Sequence, residues 1–355
     1  MSFYSSLFKA LWTLVFARLY TPQEISTRDL SGQIAIITGA NSGIGLSIAT
    51  QLARNGATVY LACRNSQRGA KAVDEISSKI GGKFQGKVHC WELDTSDLKN
   101  VRNFCARWAH EGKKIDMLVH NAGIAAPPPE SPKTTGDGKD LVLVTNFLGS
   151  FLMTHLLEPY LSITARVVLT SSSGHYAASQ ILKPPPKPPG LIARLKNTAW
   201  NKLGLITSAP AYAHSKAQQV LFANILQRHF SSSNPENRRS AHSFTPGFTC
   251  SPIFSKFDVT WGTWISNPLF ATLKLTEKYV AVDTDQGSRT GSWLAAEGNV
   301  ENGGGFWEWG WRRTSLVDYL REVSGEKKFW TVAGAEWGSW EREVMVEWDV
   351  DIQER

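Results

Sequence analysis

Through the first two thirds of the chain, short β-branched apolar runs alternate with stretches whose apolar residues fall at helical spacing. Gln33–Ile37 reads as a buried parallel strand, Ile44–Leu52 as a helix with one apolar face, and Ala57–Ala62 as a second strand. Lys87–Leu93, Ile115–Val119 and Arg166–Thr170 predict further strands, another closes at Pro246-Gly247, and Asp140–Leu157 predicts a long helix. Strands and helices in alternation predict an α/β fold, a doubly wound parallel sheet with helices on both faces.

The first predicted strand runs into Thr38-Gly39-Ala40-Asn41-Ser42-Gly43-Ile44-Gly45, which opens the first helix. In such a strand-to-helix turn Gly39 permits the tight bend, Gly43 lets main-chain N–H groups approach a diphosphate, and Gly45 allows close packing of helix on sheet. Asn41, Ser42 and Ile44 complete this candidate cofactor loop. A dinucleotide site places its ribose contact about 20 residues later, at the end of the second strand. There the chain has Cys63-Arg64 and no carboxylate. An acid would bind a free 2′-hydroxyl and repel a 2′-phosphate, whereas the Arg64 guanidinium pairs with that phosphate in a bidentate fork. NADP(H) is therefore expected over NAD(H), with Arg68 one turn later as a second candidate or a solvated helix charge.

Tyr212-Ala-His-Ser-Lys216 supplies the chemistry. A phenol with its ordinary pKa of about 10 is a poor base at neutral pH, so a nearby positive charge must stabilise the phenolate. Lys216 stands at i+4 on the same helix face, which places its ammonium near the phenol and within reach of the nicotinamide ribose, so Tyr212 and Lys216 are candidate cofactor contacts as well. Tyr212 then serves as general acid in reduction and general base in oxidation.

With these motifs in order, the chain resembles the short-chain dehydrogenase/reductase family in its single-domain Rossmann branch, over about residues 32–298. Leu93-Asp94-Thr95 matches the family's acidic residue near the adenine ring. Asn121-Ala122-Gly123 matches its Asn-Ala-Gly segment, with His120 where a second Asn is common. The resemblance implies that Asn146 holds a water linking Lys216 to solvent, and that Ser172 donates a hydrogen bond to the substrate oxygen as charge develops there. Aligning Val167–Ser172 with the family's strand-end serine selects Ser172 over Ser171 and Ser173. Pro246 and Gly247 fall beside the cofactor, ahead of the family's variable substrate lid. Thr170–Tyr176 and Thr135–Gly138 most resemble the retinol-dehydrogenase-like and fungal secondary-metabolism members.

Composition adds limits. The chain has 355 residues, 42% of them hydrophobic, enough for one sizeable core. Cys63, Cys90, Cys105 and Cys250 have no metal-ligand spacing, so no metal is expected and the thiols read as reduced residues of a cytoplasmic protein. The formal charge of +7 is uneven, because residues 321–355 carry nine acids against five bases. No dense Lys/Arg run or nucleic-acid module accompanies the basic body, so an anionic cofactor or membrane surface is the expected partner and nucleic acid is not.

Three segments lie outside the family pattern. Residues 1–31 open with Phe3, Leu7, Leu11, Leu14 and Val15 on one helical face and Ser2, Ser5, Ser6, Lys9 and Thr13 on another. The run Ala10–Ala17 is too short to span a bilayer, which leaves either an interfacial helix or one packed on the protein's own surface. An insertion over 173–210 contains the polyproline stretch Ile181–Gly190 and reads as a substrate flap, a plug against dimerisation or a plain surface loop. Residues 299–355 form an extension expected to pack on the same domain, and after Gly305 they hold seven of the fourteen Trp residues. Phe306–Trp311 predicts a strand, and Lys328–Val332 and Val344–Val350 predict strands or loops. These indoles serve either the core or an aromatic wall over the substrate, joined by Phe248, Phe254, Phe257, Trp261, Trp264 and Phe270.

Together these observations predict an NADP(H)-dependent carbonyl reductase or secondary alcohol dehydrogenase, monomeric or dimeric, acting on a small lipophilic substrate of secondary metabolism. An NAD-dependent alcohol, retinol or steroid dehydrogenase is the rival enzyme. A cofactor-binding regulator without turnover is the rival from another class, and the intact Asn146, Ser172, Tyr212 and Lys216 set argues against it.

Overall fold

The computed structural model describes residues 2–20, 23–81, 87–128, 131–178, 210–233, 236–250, 268–299, 301 and 303–348. The polyproline insertion and the lid residues Phe254, Phe257, Trp261 and Trp264 lie outside them, as does the Phe270 side chain.

Eight strands make one sheet in the order β3-β2-β1-β4-β5-β6-β7-β8. They are β1 Ile34–Thr38, β2 Thr58–Cys63, β3 Val88–Glu92, β4 Ile115–His120, β5 Leu161–Thr170, β6 Ser240–Thr245, β7 Phe306–Glu308 and β8 Trp311–Arg313. All pairs are parallel except β7 with β8. Ile37 pairs with Leu61 on one side and Val119 on the other, so the order reverses between β1 and β4 and opens a ligand crevice beyond the carboxyl ends of these strands.

The apolar strands are buried on both faces because helices cover both. On one face α2 (Gly43–Arg54), α3 (Ser66–Ile80) and α10 (Thr284–Glu297) pack Ile48, Leu52, Ile76 and Leu294 against Ile37, Leu61 and Val119. On the other, α4 (Leu98–Glu111), α6 (Gly149–Leu157) and α7 (Pro210–Ser233) bring Phe104, Trp108, Phe151 and Phe222 onto Ile36, Leu118 and Val167. The stretch Leu141–Tyr160 is long and apolar enough to cross a membrane, but 67% of its apolar window is buried here. It is a core helix of this sheet.

Two expectations for the extension are corrected. Phe306–Trp311 is not one strand, because Trp309 and Gly310 take φ of 55° and 74° and fold β7 back onto β8. Positive φ at both central residues is the requirement of a type I′ hairpin, which Gly310 meets without strain. Lys328–Val332 is not a strand or loop either but part of the helix α12 (Glu326–Val344), which follows α11 (Leu316–Ser324). Its buried Phe329, Ala333, Trp337, Trp340 and Val344 recur every three or four residues, a helical period. Trp337 and Trp340 pack on Phe151, and Trp340 also on Phe147, so these indoles serve the core.

The N-terminal helix α1 (Phe3–Phe16) sits on the protein with an unexpected face inward. Its buried stripe is Ser6, Ala10 and Thr13, continued by Ala17. Small side chains let the helix approach the β7–β8 hairpin closely, and their hydroxyls are used. Thr13 Oγ1 donates to Glu308 Oε1 at 2.9 Å, and Ser6 Oγ accepts from Thr314 N at 3.0 Å. Phe3, Leu7 and Leu14 flank this stripe and pack partly on the body, with Phe3 stacked on Tyr319. Tyr4, Phe8, Trp12, Val15 and Leu19 remain outside, from 40% to 79% exposed.

Candidate active site

The glycine loop joins β1 to α2 as the spacing predicts. Gly39 and Gly43 adopt φ of 64° and 61°, which only glycine takes at no steric cost. A Cβ on Gly39 would stand 2.9 Å from Ala122 Cα, and one on Gly45 would stand 2.7 Å from Gly39 O and against Asn121 Nδ2. Asn121 is fixed beneath the loop by Nδ2 donating to the carbonyls of Thr38 and Gly39. Ser42, the residue before α2, is extended and makes no side-chain capping bond, and no acid occupies the first helical turn. Uncapped N–H groups at the positive end of a helix dipole form a seat for a diphosphate. Loop and helix therefore fit a dinucleotide.

At the end of β2 the Arg64 side chain is 71% exposed, with Nε 3.9 Å from Asp94 Oδ2 beyond β3. Asp94 Oδ1 accepts from the amide and hydroxyl of Ser96, which holds this carboxylate at the crevice rim. Arg68 is exposed on α3, and only its main-chain N–H is bound, by the cap residue Asn65. Pro246 and Gly247 follow β6; Gly247 has φ of 70°, and Thr249 Oγ1 donates to the Pro246 carbonyl.

The catalytic candidates meet at the same edge of the sheet. Ser172 lies two residues past the end of β5, its hydroxyl accepting from Gly174 N at 3.0 Å, and a Cβ on Gly174 would stand 3.4 Å from both Ser172 Oγ and Tyr212 Cε1, so the hydroxyl sits beside the phenol ring. Ser171 is turned away, donating to the Lys216 carbonyl at 2.7 Å, and the Ser173 hydroxyl pairs with Thr245. Of the three serines, Ser172 is the one whose hydroxyl is set beside the phenol. Lys216 Nζ lies 5.5 Å from the Tyr212 ring centre and donates to the Thr170 carbonyl at 2.7 Å. Burial pushes the Tyr212 phenol above its ordinary range, opposed by the nearby Ser172 hydroxyl, and pulls Lys216 down to about 7.

Asn146 falls in a π-helical turn, Val144–Leu148, between α5 (Leu141–Leu143) and α6. Such turns recur at functional sites because they reorient one residue within a helix. Here the Asn146 side chain accepts from Ile124 N at 2.8 Å and donates to Ile124 O at 3.0 Å and Ser215 Oγ at 2.9 Å. Gly123 lies between Asn146 and Lys216, since a Cβ there would be 3.1 Å from Asn146 Oδ1 and 3.5 Å from Lys216 Nζ.

Two supporting residues were not singled out by the sequence. Thr38 Oγ1 accepts from the N–H groups of Asn121 and Ala122 at 2.9 and 3.0 Å, tying the end of β1 to the segment after β4. Ser215 holds Asn146 and donates to the Tyr212 carbonyl. A hydroxyl residue at a strand end, and one within the Tyr–Lys spacing, were the available signals.

Comparison with known proteins agrees with this arrangement. A family model for short chain dehydrogenase matches residues 33–181. Retinol dehydrogenase 11 of Homo sapiens is 33% identical over 244 residues, covering 68% of this chain and 69% of that one. Retinol dehydrogenase 12 of Mus musculus is 30% identical over 316 residues, covering 87% and 89%. Among solved structures, a short chain dehydrogenase from Burkholderia cenocepacia J2315 in complex with NADP shares the fold at a TM-score of 0.55 and 21% identity, covering 79% of this chain and 96% of that chain.

Proposed function

The chain belongs to the short-chain dehydrogenase family, and from that premise we propose that it moves a hydride between NADP(H) and a carbonyl or secondary alcohol of a lipophilic substrate in secondary metabolism. The observation that carries this reading is the convergence of Ser172, Tyr212 and Lys216 at the carboxyl edge of the sheet, beside an uncapped helix N-terminus.

A bound nicotinamide supplies or accepts the hydride. In reduction Tyr212 gives its phenolic proton to the substrate oxygen, and in oxidation it takes that proton back. Ser172, beside the phenol, donates to the same oxygen and stabilises the charge that builds there. The Lys216 ammonium lowers the cost of the phenolate, and its bond to Thr170 O holds it facing the crevice. Asn121 holds the glycine loop, and Gly123 leaves room for Asn146 and Lys216 to approach each other. Arg64, with no carboxylate at the end of β2, supports NADP(H).

An apolar substrate is supported by the lid composition and by relatives named for retinol, itself an apolar alcohol. Those names also favour a second reading, oxidation of such an alcohol. A cytoplasmic enzyme seated on a membrane surface would meet either substrate. The exposed stripe Tyr4, Phe8, Trp12, Val15 and Leu19 supports that contact, with Leu275, Lys278 and Tyr279 exposed on the helices after the lid, the latter two in α9 (Glu277–Val280), which follows α8 (Pro268–Leu275). The test is steady-state turnover of retinal, steroid ketones and aryl ketones with NADPH and NADH. Faster reduction with NADPH is the expected result, and turnover confined to alcohols with NAD would favour the second reading instead.

A further inference from the structure

The Lys216 ammonium has a second partner inside the protein besides the Thr170 carbonyl. Gln219, one turn further along α7, places Oε1 3.2 Å from Lys216 Nζ, and its Nε2 donates to the Asn146 main-chain carbonyl at 2.8 Å. The side chain is fully buried, so both ends of the amide need partners and both have them. The amide orientation follows from the network. Turned over, it would set its oxygen against the Asn146 carbonyl and its N–H groups against an ammonium. The Gln219 carboxamide thus spans the gap between the π-helical turn and the lysine, where a water would otherwise be needed to connect them.

We propose that Gln219 is a positioning residue for proton transfer, holding Lys216 charged and aimed at Tyr212 and coupling it to the Asn146 turn. This rests on the assignment of Tyr212 and Lys216 given above. Facing Lys216 are the Thr170 carbonyl from β5, Asn146 and Gly123 from across the crevice, and Tyr212 and Gln219 from its own helix. Of these only Tyr212 titrates. No carboxylate among these neighbours competes for the ammonium, and burial has already brought Lys216 down to about 7. One acceptor more or less therefore changes its charge within the working pH range.

The test is the pH profile of kcat/KM for carbonyl reduction in two variants. Gln219→Met keeps the shape and removes the acceptor, so the ammonium is lost at lower pH. Its alkaline limb should move down by roughly half a unit to one unit. Gln219→Glu places a carboxylate beside the ammonium, and its limb should move up. KM for the carbonyl should stay within about twofold while kcat falls, because the amide acts on the lysine and not on the substrate. Opposite shifts are something a packing role cannot produce. A fall in kcat and in thermal stability with the alkaline limb fixed in both variants would overturn the proposal. Binding of NADP⁺ across pH, read from tryptophan fluorescence, gives the same comparison without turnover. If wild-type protein reduces no carbonyl, the functional reading falls, yet a shifted binding profile in Gln219→Met still supports the role of Gln219. An unshifted binding profile in both variants counts against it.

Discussion

Arg64 Nε stands 3.9 Å from Asp94 Oδ2, past hydrogen-bond range, with the Arg64 side chain mostly in solvent. The carboxylate is near enough to orient the guanidinium and too far to occupy it, so its donors remain able to reach a 2′-phosphate. Arg64→Asp removes those donors and adds repulsion. Because hydrogen bonds to charged groups contribute about 1.5–3 kcal/mol, NADPH affinity should fall roughly tenfold or more. NADH affinity should change little. Titration of both cofactors by fluorescence checks this, and an unchanged preference would place the phosphate elsewhere.

Glu308 and Arg313 form a 3.0 Å ion pair across the β7–β8 hairpin, with Glu308 fully buried and Thr13 of α1 donating to its other oxygen. Burial pushes the carboxyl up, while Arg313 and Thr13 favour its charged form. Glu308→Ala takes the carboxylate away from both the buried Arg313 guanidinium and the Thr13 hydroxyl that ties α1 to the hairpin. A loss of about 3–5 kcal/mol in unfolding free energy is expected. Urea denaturation measures it, and a loss within about 0.5 kcal/mol, as at an ordinary surface site, would mean the pair does not fasten the helix.

How far the sequence was legible follows from the kind of signal at each place. The glycine loop, β1 to β6 and the Tyr212–Lys216 pair depend on local spacing, and Gly39 and Gly45 stand where that spacing puts them, whereas the choice of Ser172 among three serines needed the family resemblance. The inward face of α1 was not legible. An apolar-face reading turned Leu7 and Leu14 toward lipid or the protein's own surface and left Ser6 and Thr13 in water, whereas tertiary partners took the hydroxyls inside. Glu308 and Thr314, 295 and 308 residues from their partners Thr13 and Ser6, decide that orientation, and no local pattern carries them. Likewise Trp309-Gly310 ends a strand that alternation alone would continue, and α12 shows its period only when Phe329 to Val344 are taken together.

The exposed stripe of α1 gives a membrane test that leaves the fold intact. Phe8 and Trp12 are 63% and 45% exposed, and aromatic residues beside Lys and Arg suit the headgroup boundary. The pair of substitutions Phe8→Ser and Trp12→Ser should abolish co-sedimentation with anionic liposomes while leaving the melting temperature and NADPH-dependent turnover of a soluble carbonyl near wild type. Equal sedimentation of both proteins would show that this face is not what touches lipid.

Tyr212→Phe tests the central claim most directly, because it removes the transferable proton and leaves the ring in the packing of Ile124, Ala125 and Val142. General acid–base catalysis contributes typically about 10²–10⁴-fold, so kcat for carbonyl reduction should fall by at least about a hundredfold. NADPH affinity should stay within roughly twofold of wild type, since the cradle of Gly39, Gly43 and Gly45 is untouched. Lys216→Ala, measured alongside, should weaken both turnover and cofactor binding. Single-turnover reduction followed at the NADPH absorbance, with binding measured on the same preparations, gives both quantities. Near-wild-type rates in Tyr212→Phe would contradict the account.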